Sequence, residues 1–294
     1  MEVTLWGVRG SIPTPRPDTV RYGGNTSCAE VAAAPNSTVI LDAGTGICAM
    51  GQQLPADLER VDLLLTHLHM DHILGLGFFA GLYRPDLEIH IWGPDSTVGR
   101  LRERLSRYMS PPLFPVRIRE LPCRLSLHDA PLGRFELPGV SVTAALVCHP
   151  GPTVGYRLEG DTGTVAYLPD HEPALGACQF PDLPRWTSGF DLLAGADLLI
   201  HDAQYADPEY PDHLGWGHSS IGQAVALANA AGVRHLIPFH HDPGHDDDCL
   251  DDLYEALLPA DNGLLITPAR EGARLVVGAQ AGPAPPAPPG AYPA

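Results

Sequence analysis

The sequence contains no lysine, so all 18 of its basic side chains are arginines, and they are outnumbered by 35 aspartates and glutamates. The resulting formal net charge of −17 repels long polyanions. Proteins that bind DNA or RNA along its length normally carry a basic surface. The composition therefore disfavours a long nucleic acid as partner unless arginines cluster locally.

Long apolar runs are also missing: none approaches the roughly 18 residues needed to span a bilayer. The opening segment MEVTLWGVRGSIPTP lacks a basic stretch followed by an apolar one. We therefore expect no membrane association and, by default, a cytoplasmic location. The six cysteines form no C-x-x-C pair, so neither a disulfide framework nor a zinc ribbon is indicated.

The hydrophobic content of 44% nevertheless predicts a sizeable core, built from short apolar runs that Gly, Pro or Asp interrupt. Such runs predict strands at 3–8, 28–34, 38–44, 61–66, 88–93, 140–149, 153–160, 164–170, 196–203, 235–241 and 273–278. Helical spacing predicts helices at 73–83, 97–109, 220–233 and 247–258. The segment LEGDTGTV predicts a β-hairpin.

Predicted strands are followed by predicted helices in the first half of the chain and again in the second half. This mixture of strands and helices predicts an α/β fold. We expect one domain over residues 1–278, a four-layer α/β/β/α sandwich of two mixed sheets packed face to face. Residues 279–294, AQAGPAPPAPPGAYPA, are too rich in Pro, Ala and Gly to form a core and predict a disordered tail. The stretch 176–189 predicts a surface insertion whose role the sequence leaves open.

Histidine is the outlier among the residue types present, with 14 copies, and four potential ligands crowd into LLLTHLHMDHIL. His67, His69, Asp71 and His72 fall where a strand is predicted to end and a helix to begin, a common ligand-binding position. Imidazole and carboxylate are zinc-type ligands, and coordination removes the penalty of burying them. An exposed loop with unrelated histidines is the alternative, but this spacing favours a metal site with room for two ions.

With this H-x-H-x-D-H motif the chain resembles the metallo-β-lactamase-fold hydrolases, and the resemblance extends over nearly all of residues 1–278. It implies two divalent metal ions, with zinc expected and manganese or iron as alternatives. It also implies seven ligands: His67, His69 and His149 for the first ion, Asp71, His72 and His240 for the second, and Asp170 as the bridge. His241 is an alternative to His240, and His171 and Cys148 are less favoured candidates.

The resemblance also implies a chemistry. Two cations about 3.5 to 4 Å apart share a water whose pKa falls toward about 7, which yields a hydroxide nucleophile at neutral pH. Asp71 is accordingly counted among the catalytic groups as well as the ligands. Asp42, in ILDAGTG, is expected either to accept a hydrogen bond from a ligand imidazole or simply to occupy a turn.

The segment GWGHSSIGQ resembles the histidine-Ser/Thr motif of the phosphodiesterase branch of this family, which includes tRNA 3′-processing endonucleases and cyclic-phosphate enzymes. The resemblance implies that His218 contacts the phosphoryl group and protonates the leaving oxygen; a helix cap is the alternative. Asp202 is expected to pair with His218 and tune its proton. Ser219 and, on a weaker Gly-Gly-Asn signal, Asn25 are predicted substrate contacts.

Together these features predict a dinuclear metal-dependent hydrolase of a small phosphodiester, most simply a cyclic nucleotide or cyclic phosphate. A lactonase or thioesterase of the same fold is one alternative, since it would use the same metals. A tRNA-processing endonuclease is the other, disfavoured by the acidic composition and by the lack of a basic Gly-rich insertion to grip tRNA. The resemblance further implies a homodimer.

Overall fold

The computed structural model of the protein describes residues 1–177, 180–181, 183–256 and 263–278. Over these residues the strands β1 to β14 are Glu2–Gly7, Cys28–Ala34, Ser37–Leu41, Arg60–Leu64, Glu88–Gly93, Arg124–Asp129, Gly133–Leu137, Val140–Leu146, Val154–Gly160, Gly163–Leu168, Leu198–Asp202, His235–Phe239, Leu265–Ile266 and Arg274–Val276. The helices α1 to α6 are Gly46–Gly51, Met70–Ile73, Leu101–Tyr108, Phe190–Leu193, Ile221–Ala230 and Asp247–Glu255.

The strands form two seven-stranded sheets with matching organisation. The first sheet has the order β14-β1-β2-β3-β4-β5-β6 and the second the order β13-β12-β11-β10-β9-β8-β7. Each sheet is antiparallel on one side and parallel on the other, with β3 to β6 parallel in the first and β10 to β13 parallel in the second. The predicted pair of mixed sheets is confirmed, and LEGDTGTV forms the β9–β10 hairpin.

Three apolar clusters explain the layering. The central cluster joins inward-facing residues of both sheets, among them Val3 and Leu41 from the first and Tyr156 and Ile237 from the second. A second cluster packs α1 and α3 against the outer face of the first sheet. A third packs α4, α5 and α6 against the outer face of the second sheet. Because each sheet buries both faces, the elements stack as helix, sheet, sheet and helix.

Some predicted elements differ from the structure. The helix predicted at 73–83 is instead the short α2 followed by two 3₁₀ turns, Leu76–Phe78 and Ala80–Tyr83. Glycine explains the break, since a Cβ on Gly75 would lie 2.2 Å from the Gly44 carbonyl oxygen, so this segment must pass close to another backbone.

Strands β6, β7 and β13 were not predicted from the sequence. In the 176–189 stretch, a 3₁₀ turn covers Pro184–Trp186 and residues 178, 179 and 182 fall outside the described part. The tail at 279–294 also lies outside the described residues, so its predicted disorder stays a prediction. Within the described ranges, no helix has both the length and the apolar character that crossing a bilayer requires.

Candidate metal centre

The candidate ligands are brought together by strand ends at one edge of the sandwich. His67 and His69 lie in the turn between β4 and α2, and Asp71 and His72 lie on α2 itself. The others follow β8, β10 and β12 in the second sheet: His149, Asp170 and His240. Carboxyl ends of parallel strands meet at the same edge of a sheet. Residues more than 170 positions apart in the sequence therefore share one small volume.

Histidines form the first group of potential metal ligands. His67, His69 and His149 offer ligand atoms that all lie within 4.8 Å of one another. His149 Nε2 lies 3.1 Å from His69 Nδ1. The other ring nitrogen of His149, Nδ1, donates a 2.8 Å hydrogen bond to the Gly217 carbonyl oxygen. This bond leaves Nε2 of His149 unprotonated and directed at the group.

The second group is buried and contains two carboxylates. Asp71, His72, Asp170 and His240 again offer atoms within 4.8 Å of one another. Asp170 lies between the two groups. Its Oδ1 is 3.3 Å from His240 Nε2, and its Oδ2 is 3.7 Å from the Nε2 atoms of both His67 and His149. One carboxylate therefore presents one oxygen to each group.

Several polar atoms at this edge are buried and have no hydrogen-bond partner among the described residues, which is the condition a metal ion would relieve. They are His67 Nε2, His72 Nε2 and Asp170 Oδ1. His72 Nε2 is 2.9 Å from Asp170 Oδ1, but the two atoms are not in hydrogen-bonding geometry. Leaving a buried polar atom unpaired costs about 1 to 3 kcal/mol. The donor set of imidazoles and carboxylates fits two divalent cations such as zinc.

The ionisation of His67 and Asp170 suits coordination. Burial alone would lower the pKa of His72, but Asp170 and Asp71 raise that pKa well above its usual value, so His72 would release a proton on binding a metal. Burial, reinforced by the neighbouring His72, lowers the pKa of His67 well below its usual value, so this imidazole is neutral at pH 7. Burial alone would raise the pKa of Asp170, but His240 and His72 hold that pKa well below its usual value. Neutral imidazole and ionised carboxylate are the forms that bind metals.

An outer layer of acceptors fixes the imidazole rings. Asp42 Oδ2 accepts a 2.8 Å hydrogen bond from His72 Nδ1 and a 3.0 Å bond from the Tyr167 hydroxyl. The hydrogen bond predicted for Asp42 is therefore present. Gln204 Oε1 accepts a 3.0 Å bond from His240 Nδ1. Gln204 was not predicted from the sequence. Its position two residues after Asp202 was the one feature of the sequence that pointed to the site.

His218 lies against both groups. Its Nδ1 donates a 2.7 Å hydrogen bond to Oδ2 of Asp202, which is fully buried. The His218 ring stacks on His240 with 5.0 Å between centroids, and a ring nitrogen is within 4.8 Å of ligand atoms of His149 and Asp170. Burial alone would lower the pKa of His218, but Asp202 outweighs burial and raises the pKa to about 9.

Glu172 is a site residue that the sequence did not reveal. It is fully buried, and its carboxylate accepts backbone N–H bonds from Gly215 at 3.0 Å and Gly217 at 2.9 Å. Gly217 in turn provides the carbonyl that fixes His149, and it directly precedes His218. Glu172 thus holds the loop on which both histidines depend.

Other sequence candidates lie elsewhere. His240, not His241, joins the second group, whereas His241 donates a 2.9 Å bond from Nε2 to the Ala269 carbonyl. The His171 ring is paired with His201. Cys148 belongs to none of the potential ligand groups among the described residues.

The two predicted substrate contacts are engaged in internal bonds. Ser219 is fully buried and its hydroxyl donates to the His171 carbonyl, and its substrate contact stays a prediction. The Asn25 amide donates a 3.0 Å bond to Glu271, and its substrate contact stays a prediction.

Two mixed sheets between helical layers, with histidines and aspartates at one shared edge, define the metallo-β-lactamase class of sandwich. Residues 37–241 match the model of the beta-lactamase superfamily domain. Because the match covers most of the chain, the protein belongs to that family.

Individual relatives are more distant. The chain is 28% identical over 263 residues to a ribonuclease Z of Mycobacterium bovis, covering 83% of this chain and 86% of the relative. Among solved structures, the short form of human tRNase Z superposes with a TM-score of 0.66 at 21% identity, over 94% of this chain and 99% of that one. A diphosphatase of the PhnP family gives a TM-score of 0.63 at 19% identity, over 93% and 96%.

Proposed function

We propose that the protein is a dinuclear metal-dependent phosphoester hydrolase and that its substrate is a small phosphodiester, with cyclic nucleotides and cyclic phosphates as the first candidates. The observation that carries the proposal is the placement of Asp170, which presents one carboxylate oxygen to each of two adjacent ligand groups. The unpartnered buried atoms in those groups support occupation by cations.

In this proposal the first ion is held by His67, His69 and His149, the second by Asp71, His72 and His240, and Asp170 serves both. Zinc is the expected metal because the donors are mostly imidazoles, with manganese or iron as alternatives. Bound divalent cations supply Lewis-acid activation of water and neutralise charge that develops on a phosphoryl group. Asp71 Oδ2 also accepts a 2.9 Å bond from the Ser11 backbone, which fixes the orientation of its carboxylate.

His218 is the proposed proton donor to the leaving oxygen. Asp202 occupies its Nδ1, so the proton to be transferred is the one on Nε2. Asp202 also accepts backbone bonds of 3.1 Å from His171, Gln204 and Ser219, which makes it a rigid support for the imidazole. A raised pKa keeps His218 protonated near neutral pH, as a general acid requires. An acyl hydrolase has less need of such a donor.

Processing of tRNA 3′ ends is the second candidate, because relatives across more than four fifths of the chain are named ribonuclease Z. The net charge of −17 and the absence of lysine favour a small substrate over tRNA. The two candidates differ in substrate size and share the same chemistry.

A substrate panel distinguishes these possibilities. The zinc-loaded protein is assayed on bis(p-nitrophenyl) phosphate, 3′,5′- and 2′,3′-cyclic nucleotides, precursor tRNA, a lactone and a thioester. We expect turnover of the small phosphodiesters that exceeds cleavage of precursor tRNA. Efficient tRNA cleavage would favour the second candidate, and activity confined to the lactone or thioester would contradict both.

The variant His218→Ala tests the proton donor. We expect kcat on a phosphodiester to fall by about 10²- to 10⁴-fold, the usual contribution of a general acid, while the metal content is unchanged. His128→Ala is the matched control, since His128 lies on the edge strand β6, stacks on Trp92 and belongs to none of the potential ligand groups among the described residues. Equal turnover of His218→Ala and the wild type would remove His218 from the mechanism.

A further inference from the structure

We propose that a cavity beside the metal centre binds one organic substituent of the substrate's phosphoryl group. We further propose that this cavity selects a flat apolar ring that carries an acidic substituent. This inference rests on the proposed phosphoesterase function. The cavity, called here the side pocket, has a volume of about 330 Å³. His67 and His69 form its wall toward the metal centre, and residues of α2, α3 and the loops around α3 and after His149 form the rest.

The side pocket adjoins the metal centre, because His67 and His69 contribute to both. A phosphoryl group held at the ligand groups would therefore direct one ester substituent into the pocket. A dry cavity of about 150 Å³ already accommodates benzene. The side pocket is about twice that size and can take a ring with a substituent.

The walls favour an apolar occupant. Met70, Val98 and Leu113 line the pocket with 50%, 66% and 70% of their surfaces exposed, and Pro150 lies among them. Large apolar side chains that remain in water around one cavity are typical of a binding site. A ring between them would remove this surface from water, at roughly 25 cal/mol per Å².

Two arginines give the pocket a positive side on a strongly acidic protein. The Arg104 side chain is 8% exposed, and its Nε atom is buried without a hydrogen-bond partner. Its Nη2 donates a hydrogen bond to the Pro94 carbonyl oxygen and forms an ion pair with Asp129 at 3.7 Å, so Nε is the buried atom left for an acidic partner. Arg107 lines the same pocket and has no ion-pair partner among the residues that the structure describes. An acidic substituent on the ring would meet both cations.

Binding of three phosphonates to the zinc-loaded full-length protein, measured by titration calorimetry, tests the inference. Methylphosphonate reports on the metal centre alone, phenylphosphonate adds the ring, and 4-carboxyphenylphosphonate adds the acid. We expect the phenyl compound to bind about tenfold more tightly than the methyl compound, as burial of one ring implies. The carboxyl group should add a further gain of about threefold, the size of a partly exposed ion pair.

Exposed positions allow variants that leave the fold intact. Leu113→Asn should abolish the preference for phenyl over methyl, whereas Leu132→Asn should not, since Leu132 is also largely exposed but lies outside the pocket. Arg107→Gln should abolish the gain from the carboxyl group, whereas Arg102→Gln, on the same helix but outside the pocket, should keep it. Affinity for methylphosphonate should be the same in all four variants.

Equal affinity for methyl and phenyl compounds, or variants indistinguishable from their controls, would overturn the side-pocket inference. So would a failure of all three phosphonates to bind. Failure of the proposed function gives a different result: phosphodiesters would not be hydrolysed, although phenylphosphonate still bound selectively. Hydrolysis of bis(p-nitrophenyl) phosphate without any selectivity among phosphonates would keep the proposed function and remove the inference.

Discussion

Three ligand imidazoles of the candidate centre, those of His72, His240 and His149, have a hydrogen-bond partner at Nδ1, which leaves Nε2 facing the other ligand atoms. Asp42 holds Nδ1 of His72, Gln204 holds Nδ1 of His240, and the Gly217 carbonyl holds Nδ1 of His149. Such outer hydrogen bonds fix the tautomer and the ring orientation. Affinity for a metal would therefore depend on residues outside the ligand groups as well.

Glu172→Gln tests this dependence. The substitution replaces a carboxylate oxygen that accepts from Gly217 or Gly215 with an amide that cannot, so the loop holding His149 and His218 loosens. We expect zinc affinity to fall by about 10- to 100-fold, the usual effect of losing an outer partner. Competition with a chromophoric chelator measures the affinity.

Glu271→Gln is the matched control, because Glu271 also accepts a backbone N–H, that of Asn25, but does not contact the centre. Both variants should lose some stability. If both retained wild-type zinc affinity, Glu172 would serve the fold alone.

At the scale of residues, the sequence predicted candidate ligands best where they lie close together along the chain. Three of the grouped histidines, with Asp71, come from one six-residue motif. Gln204 and Glu172 were missed because their partners lie 36 and 45 residues away along the chain. The sequence also does not specify whether a side chain near a helix start is buried, as Ser219 is in the structure.

At the scale of elements, the predicted strands that were found are mostly central, and the three that were missed are all at sheet edges. Strands β6 and β7 are the last strands of their sheets at one side, and β13 is the last at the other side of the second sheet. Edge strands bury less of their surface, so RLSLHD and GRFEL show little apolar patterning. The apolar pattern that predicts a strand arises from burial of its side chains, and edge strands are less buried.

One element carries a pH dependence that is separate from the metal centre. His235 begins β12, and burial lowers its pKa to about 4, whereas the unfolded chain has a histidine pKa of about 6.5. Below pH 6.5 the unfolded state binds the proton first, so stability is lost as the pH falls toward 4. His235→Gln removes this proton and can keep the hydrogen bond to Thr267.

Between pH 7 and pH 5, we expect the wild type to lose about 1 to 2 kcal/mol more of its free energy of unfolding than His235→Gln does. Urea titrations of both proteins at the two pH values, at one zinc concentration, provide the comparison. Equal losses in the two proteins would show that His235 is protonated alike in the folded and unfolded states.

For the whole molecule, the candidate ligands come from both sheets: β4 and α2 lie in the first half of the sandwich, and β8, β10 and β12 in the second. Cations at the centre would therefore connect the two halves. A ligand that binds only the folded state stabilises it by about 2.7 kcal/mol at a concentration 100-fold above its Kd.

Metal removal should accordingly lower the melting temperature by several degrees. Calorimetry of the chelator-treated protein, before and after zinc is restored, measures the shift, and magnesium serves as the control ion. A melting temperature that zinc does not change would indicate that the two halves are joined by the apolar core alone.

The most direct test of the central claim is anomalous diffraction at the zinc edge from crystals grown with zinc. The account predicts two peaks about 3.5 to 4 Å apart, the usual separation in two-metal sites. One peak should lie among His67, His69 and His149, the other among Asp71, His72 and His240, with Asp170 between them. A map without density at these residues, or with zinc bound only elsewhere, would contradict the account.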